Sequence, residues 1–342
     1  MQMNIRVLLL SILFSTQLFA QVGGEKVFNF LNVSTSARQS ALGGKVLVLE
    51  DVNQALWNPS MISKKMDNQF AVNYKSFLAE VSYGSISYAS FVSRRFGTIQ
   101  GGISYVNYGK LIAADEQGNE TGTFRARDIA ISVGYNYNIP RTYLYFGTNF
   151  KLISSVIDNF TSNGLAFDFA LSYLDDKRPY KVTLVARNIG YQVNTFNSTR
   201  ESLPFEVMLG GSYKVENVPL RWYFTLDNLQ QWQVSAENPS DTQVSIDGSV
   251  SNNSIKGLSN AFRHAIIGAE FFPDMDFNIR LGYNFRRARE LRLTTSRTFS
   301  GLTAGFGIKM RRMHFNYAFS KFHPASNTST FSLIFDLRKP EF

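Results

Sequence analysis

The feature that most constrains the fold is alternation. Over stretches of about ten to fourteen residues, apolar side chains take turns with small, polar or charged ones. Ile129, Ile131, Val133, Tyr135 and Tyr137 interleave with Ala130, Ser132, Gly134, Asn136 and Asn138. Phe205, Val207 and Leu209 alternate with Glu206, Met208 and Gly210. Phe277, Ile279, Leu281 and Tyr283 alternate with Asn278, Arg280, Gly282 and Asn284. A period of two puts the two sets on opposite faces of a strand. Fourteen such runs are found, near 67–76, 81–91, 96–107, 125–138, 141–152, 163–174, 180–189, 203–214, 219–230, 261–272, 276–287, 299–311, 313–321 and 328–338.

Alternation alone fits a secreted sandwich as well as a membrane barrel. Length separates them: sandwich strands usually run ~5–6 residues, whereas a tilted strand needs ~9–11 to cross a bilayer. The gaps agree. Those after odd-numbered runs are mostly long (108–124, 153–162, 190–202, 231–260, 288–298). Those after even-numbered runs are short, such as Ile139-Pro140 and Pro273-Asp274-Met275. Outer-membrane barrels pair short periplasmic turns with longer extracellular loops. The first and last odd gaps are short and break the pattern. Residues 1–20 read as a signal peptide, with Arg6 before an apolar run to Phe19 and Ala20 at the cleavage point. No later stretch is apolar enough for a membrane helix. Aromatics at 14% and charged residues at 18% suit a barrel with girdles. The expectation is an all-β, 14-stranded antiparallel transmembrane β-barrel over 67–342, in the outer membrane of a Gram-negative bacterium, with long loops extracellular and both termini periplasmic.

Residues 21–66 do not alternate. A helical turn over Val52 to Leu56 is predicted, with Asp51 as N-cap and Asn58-Pro59 as its stop. A fourteen-stranded barrel is wider than one that side chains can fill, so this stretch is the expected N-terminal plug, with a periplasmic tail as the alternative.

The segment Ser36-Ala37-Arg38-Gln39-Ser40-Ala41-Leu42-Gly43-Gly44, followed by Asp51-Val52-Asn53-Gln54-Ala55-Leu56-Trp57-Asn58-Pro59-Ser60, resembles the N-terminal signature of the FadL-like barrels. Within that superfamily the chain is similar to the PorQ-type barrels of the type IX secretion system. Ala113-Ala114-Asp115-Glu116-Gln117-Gly118-Asn119-Glu120-Thr121-Gly122 and Tyr137-Asn138-Ile139-Pro140 add to that likeness. The resemblance implies a fourteen-stranded, N-terminally plugged barrel that is not an enzyme. It implies an attachment complex in which such a barrel holds a PorZ-like surface protein beside a PorU-like sortase and a PorV-like shuttle barrel. That complex joins cargo to lipopolysaccharide. The alternatives are a FadL-like transporter of hydrophobic molecules and a PorV-like cargo shuttle.

No catalytic, cofactor-binding or metal-binding residue is expected, and no cofactor. Without Cys, disulfide scaffolds, Cys-ligated metals and Cys nucleophiles are excluded. The S-x-x-K, G-x-S-x-G, H-E-x-x-H and P-loop patterns are absent. His264, His314 and His323 are scattered, and by alternation the first two face the lumen. The polar faces carry Lys75, Lys151, Asp168, Arg187, Glu206, Lys214, Arg221, Asp227, Glu270, Arg280, Lys309 and Asp336, which predicts a mixed-charge lumen. Such a lumen suits a closed structural barrel better than a greasy path. The Arg-dense stretch with Arg286, Arg287, Arg289, Arg292 and Arg297 could meet lipopolysaccharide phosphates or simply be a solvated loop. The polar loop at 231–260 could dock a partner or be a plain surface loop. Because the chain is exported, nucleic acid does not account for its net charge of +9.

Overall fold

The computed structural model describes residues 26–234, 243–244, 250–251, 257–291, 299–323 and 326–338. The expected signal peptide, most of the 231–260 loop, Arg292 and Arg297 lie outside the described residues.

Fourteen antiparallel strands close into one barrel. They are β1 (Gln69–Ser76), β2 (Ser82–Ser93), β3 (Gly97–Ala114), β4 (Glu120–Asn138), β5 (Leu144–Ile157), β6 (Phe160–Leu174), β7 (Tyr180–Asn194), β8 (Glu206–Lys214) and β9 (Leu220–Leu226), then β12 (Ala265–Phe271), β13 (Phe277–Asn284), β14 (Leu302–Met310), β15 (Met313–His323) and β16 (Ser326–Asp336). A separate two-residue hairpin, β10 (Gln243–Val244) with β11 (Val250–Ser251), sits in the loop after β9. β1 and β16 close the sheet, in register from Gln69 opposite Asp336 to Ser76 opposite Ser329.

The alternation maps onto two faces. Phe224, Ile279, Leu281 and Phe331 stand exposed on the outside, while Asn149, Lys151, Asp168, Glu270 and Arg280 are buried on the inside. Every strand hands its backbone groups to a neighbour, which is what a bilayer demands.

The strands between β3 and β7 run longer than the alternation suggests. The gap at 108–124 shrinks to a turn at 115–119, and the gap at 153–162 to Asp158 and Asn159. Beyond the membrane both faces of a strand meet water, so pairing continues after the hydrophobic signal stops. In the β3–β4 turn the Asp115 carboxylate accepts from the Asn119 side chain and from the Asn119 and Gln117 amides. Those bonds, the Asn119 side chain first, hold that carboxyl below its ordinary range. β13 stops at Asn284, and a short helix α2 (Phe285–Glu290) replaces the expected strand extension. Asn284 caps it by accepting from the Arg287 amide.

Residues 26–66 run inside the closed barrel, because their partners come from strands all around it. Lys26 bridges Ser202 in the β7–β8 loop at the loop end. The helix α1 (Ala37–Ala41) is capped by Ser36, and its first amide donates to Ser332 of β16. The chain then climbs to Gly43, whose amide donates to Thr303 of β14. It descends again to Glu50, which pairs with Lys181 near the turn end. The turn predicted at Val52–Leu56 is a 3-10 helix with Asp51 accepting from the Asn53 amide. Ala55 accepts from Asn149 of β5, and Pro59 from Gln100 and Asn136. Gly147 and Gly282 let this backbone approach the wall: a Cβ on either would collide with Ser60 or Gly43 backbone. Lys26 and Arg338 therefore lie at opposite ends of the barrel. The segment threads the lumen from the loop end before β1 begins at the turn end.

Replacing Phe224 or Leu281 by Arg should block assembly, since a lipid-facing cation near mid-membrane costs ~2–4 kcal/mol. The check is the heat-modifiable band of the folded barrel on a gel. Each variant should lose most of it, and a full-strength band from both would reverse the face assignment.

Candidate functional site

Two features of the lumen bear on function: a buried charge network and an apolar pocket at the loop end. In the network, the N-terminal segment supplies cations and the wall supplies most of the carboxylates. Arg38 reaches Glu270 of β12 at 2.8 Å and 3.1 Å and Asp51 at 3.5 Å. Glu270 also takes Arg280 Nε at 2.7 Å and the Tyr223 hydroxyl at 2.7 Å. Arg280 continues to Asn316 at 2.8 Å. Nearer the loop end, Lys45 bridges Glu206 at 2.5 Å and Asp227 at 2.9 Å, and Arg286 also pairs with Asp227.

A third group is anchored in the wall. Lys151 pairs with Asp168 at 2.7 Å and donates to Asn188 at 2.9 Å. The Asn188 amide donates to the same Asp168. Lys75 is fully buried and donates to the Ser34 carbonyl at 2.7 Å and hydroxyl at 2.5 Å. Arg187 lies over the Trp57 ring, 3.7 Å from its centroid, and donates to the Leu31 carbonyl.

Of the charges predicted to face the lumen, Lys75, Lys151, Asp168, Arg187, Glu206, Asp227, Glu270 and Arg280 are buried there. Lys214 and Asp336 instead sit at the turn end and pair with Asp274 and Arg338. His264 is buried within hydrogen-bonding distance of the Asp227 carbonyl (2.6 Å) and the Trp232 carbonyl (3.0 Å), a structural role. Among the described residues no group of His, Asp and Glu side chains is arranged to hold a metal ion. The Arg-dense stretch is split, since Arg286 turns inward to Asp227.

One cavity beside the network is small. The cavity between Phe30, Leu31, Trp57, Tyr83, Lys151 and Arg187 measures about 10 Å3, room for about one water. The larger space is at the loop end. A half-open pocket of about 380 Å3 is lined by Phe30 and Val33 of the N-terminal segment, Phe77 and Val81 of the β1–β2 turn, and Val106 and Tyr108 of β3. Its floor is thus the segment and its sides are the barrel. Tyr108 turns its hydroxyl to Asp128 at 2.6 Å, leaving the ring to the pocket. The sequence reading missed this pocket because it is assembled from separate segments, none with a motif. Its only trace there is apolar Phe77 in the short first gap and Val81 at the start of the second run.

The comparisons bear on the fold. The toluene transporter TbuX of Ralstonia pickettii superposes with a TM-score of 0.51 at 12% identity, over 90% of this chain and 98% of TbuX. The TodX monoaromatic hydrocarbon channel, in its deltaS2 mutant, gives 0.49 at 13% identity over 89% and 98%. The KdgM porin gives 0.34 at 5% identity over 79% and 99%. No family model and no curated protein matches the sequence. The closed fourteen-stranded barrel is the architecture this chain shares with TbuX. At these identities the likeness carries the fold alone.

Asp168→Asn should be tolerated better than Lys151→Met, which leaves a buried carboxylate without its cation. Removing one partner of a buried pair costs ~3–5 kcal/mol. Urea titration of the refolded barrel should show Lys151→Met well below wild type, and Lys151→Met combined with Asp168→Asn partly restored. No recovery in the double variant would mean that the pair is not coupled.

Proposed function

We propose that the chain is a non-enzymatic outer-membrane barrel of FadL-like build that takes small hydrophobic molecules at its loop end, with residues 26–66 acting as the plug. The observation that carries this reading is the apolar pocket of about 380 Å3 shared by plug and wall. A molecule held there touches Phe30 and Val33 on one side and Val106 and Tyr108 on the other. Its binding is thereby coupled to the position of the segment that shuts the lumen. Hydrophobic pockets of this size suit small apolar ligands. The likeness of fold to a toluene transporter supports the same reading. The long loops would then face outward, with the turns in the periplasm.

A second reading is favoured by a different observation. Arg38 and Lys45 tie the segment to Glu270, Glu206 and Asp227 of the wall, and the cavity beside Trp57 and Arg187 measures about 10 Å3. A lumen held that firmly also suits a barrel whose role is to present its loops. Together with the PorQ-type sequence resemblance, this supports an anchor for a PorZ-like surface protein in a type IX attachment complex. A PorU-like sortase and a PorV-like barrel would be neighbours there, with lipopolysaccharide as the acceptor of cargo.

One preparation separates the two. The barrel is drawn from gently solubilised outer membranes, and both its bound small molecules and its bound proteins are identified. The first reading expects saturable binding of a fluorescent fatty acid or toluene competitor, lost in Val33→Arg and Val106→Arg. A stoichiometric large surface protein, with dye binding indifferent to both substitutions, would replace it with the anchor reading.

A further inference from the structure

The outward face of β4 carries an abrupt change of chemistry. From the turn end it presents Tyr137, Tyr135, Val133, Ile131 and Ile129, and then Arg127 and Arg125. From Tyr137 to Arg127 is about ten residues. At ~3.3 Å per residue and a tilt near ~40°, that is roughly 25 Å along the axis, the height of an apolar membrane band. Arg127 therefore stands at the edge of the band, at headgroup level, with Arg125 just above it.

A bulge adds a third cation. β3 loses register with β4 between Asn107 and Lys110: Asn107 pairs with Arg127, and Lys110 with Arg125. Unbroken alternation would put Gly109 opposite Arg125. The extra residue, with Gly109 at φ +73°, puts Lys110 there instead. Bulges re-aim side chains in this way. Two like charges now face each other directly across the ladder, which is destabilising unless something between them is anionic. Among the described residues, none of Lys110, Arg125 and Arg127 is in an ion pair. The three, with Tyr105 and Asn107, line an outward groove of about 530 Å3 in which Glu80 and Asp158 leave the positive charge unbalanced by one.

We infer that this groove binds the phosphate-bearing headgroup of a lipid in the leaflet at the loop end. The phosphate lies between Lys110, Arg125 and Arg127, and the acyl chains run down Tyr105, Ile103, Ile129 and Ile131. Guanidinium and ammonium groups give phosphate its strongest hydrogen bonds. The apolar stripe directly below the groove favours a lipid-borne phosphate over a free one. The site needs only the barrel's place in a membrane and does not depend on what the mouth pocket binds.

The test is native mass spectrometry of the purified barrel, titrated with a bisphosphorylated glycolipid, its dephosphorylated counterpart, and inorganic phosphate. Wild type should retain the phosphorylated lipid in preference to the other two. Lys110→Gln/Arg125→Gln/Arg127→Gln should weaken that binding about tenfold, a loss of ~1.4 kcal/mol. Arg94→Gln/Arg95→Gln, at the turn end, should leave it unchanged. If the triple variant loses its heat-modifiable band, Lys110→Gln and Arg127→Gln are read singly, each with a smaller loss. Equal retention of the dephosphorylated lipid, equal binding of inorganic phosphate, or unchanged binding by the folded variants would overturn the site.

Discussion

A sheet in hydrocarbon cannot have an edge. Each unpaired amide or carbonyl there lacks a partner, and the only remedy for strands is closure. The pairing of β1 with β16 supplies it, and the rest of the architecture follows. Closing fourteen strands encloses a lumen that inward side chains alone do not fill. Those side chains are polar, because the outward faces have already taken the apolar residues. The closed wall therefore needs a polar, well-fitted filling, and residues 26–66 provide it from the same chain.

The filling is specified by charge as much as by shape. Glu270, Glu206 and Asp227 would be uncompensated carboxylates without Arg38, Arg280, Lys45 and Arg286. Buried ion pairs add little net stability over apolar packing, yet losing one partner is costly. Such pairs therefore penalise other paths of the segment more than they strengthen this one. The glycines act in the same sense. Gly147 and Gly282 are places where the wall yields its side chain so that the segment's backbone can approach.

Much of this was legible in the sequence, and the reason is periodicity. Each of the fourteen strands announced itself because one face meets lipid and the other meets the lumen. Legibility failed where that contrast vanishes. Lys110 to Ala114 and Glu120 to Phe124 pair as strands with water on both faces, so they read as a loop. The bulge at Gly109 is invisible for the same reason, although it decides where Lys110 points. The turn at Val52–Leu56 was readable from a local cap, Asp51. The course of the segment from Lys26 at one mouth to Lys65 at the other was not, because its contacts with Ser202, Thr303 and Lys181 are all distant in sequence. The mouth pocket escaped likewise, since Phe30, Phe77 and Val106 meet only after the barrel closes.

The proposed ligand site lies at the loop end, where the segment, the β1–β2 turn and β3 meet. That rests on residues 26–66 lying inside the barrel, and the absence of native Cys makes the point directly measurable. The Ser60 and Ser172 hydroxyl oxygens stand 2.6 Å apart, one on the segment and one on the inner face of β6. Ser60→Cys with Ser172→Cys, assembled in the outer membrane and oxidised, should form an intramolecular disulfide in nearly every folded barrel, seen as a shift on a non-reducing gel. The paired control of Ser60→Cys with an outward Phe169→Cys should form none. A folded barrel that stays reduced at Ser60 and Ser172 would place the segment elsewhere and contradict the account.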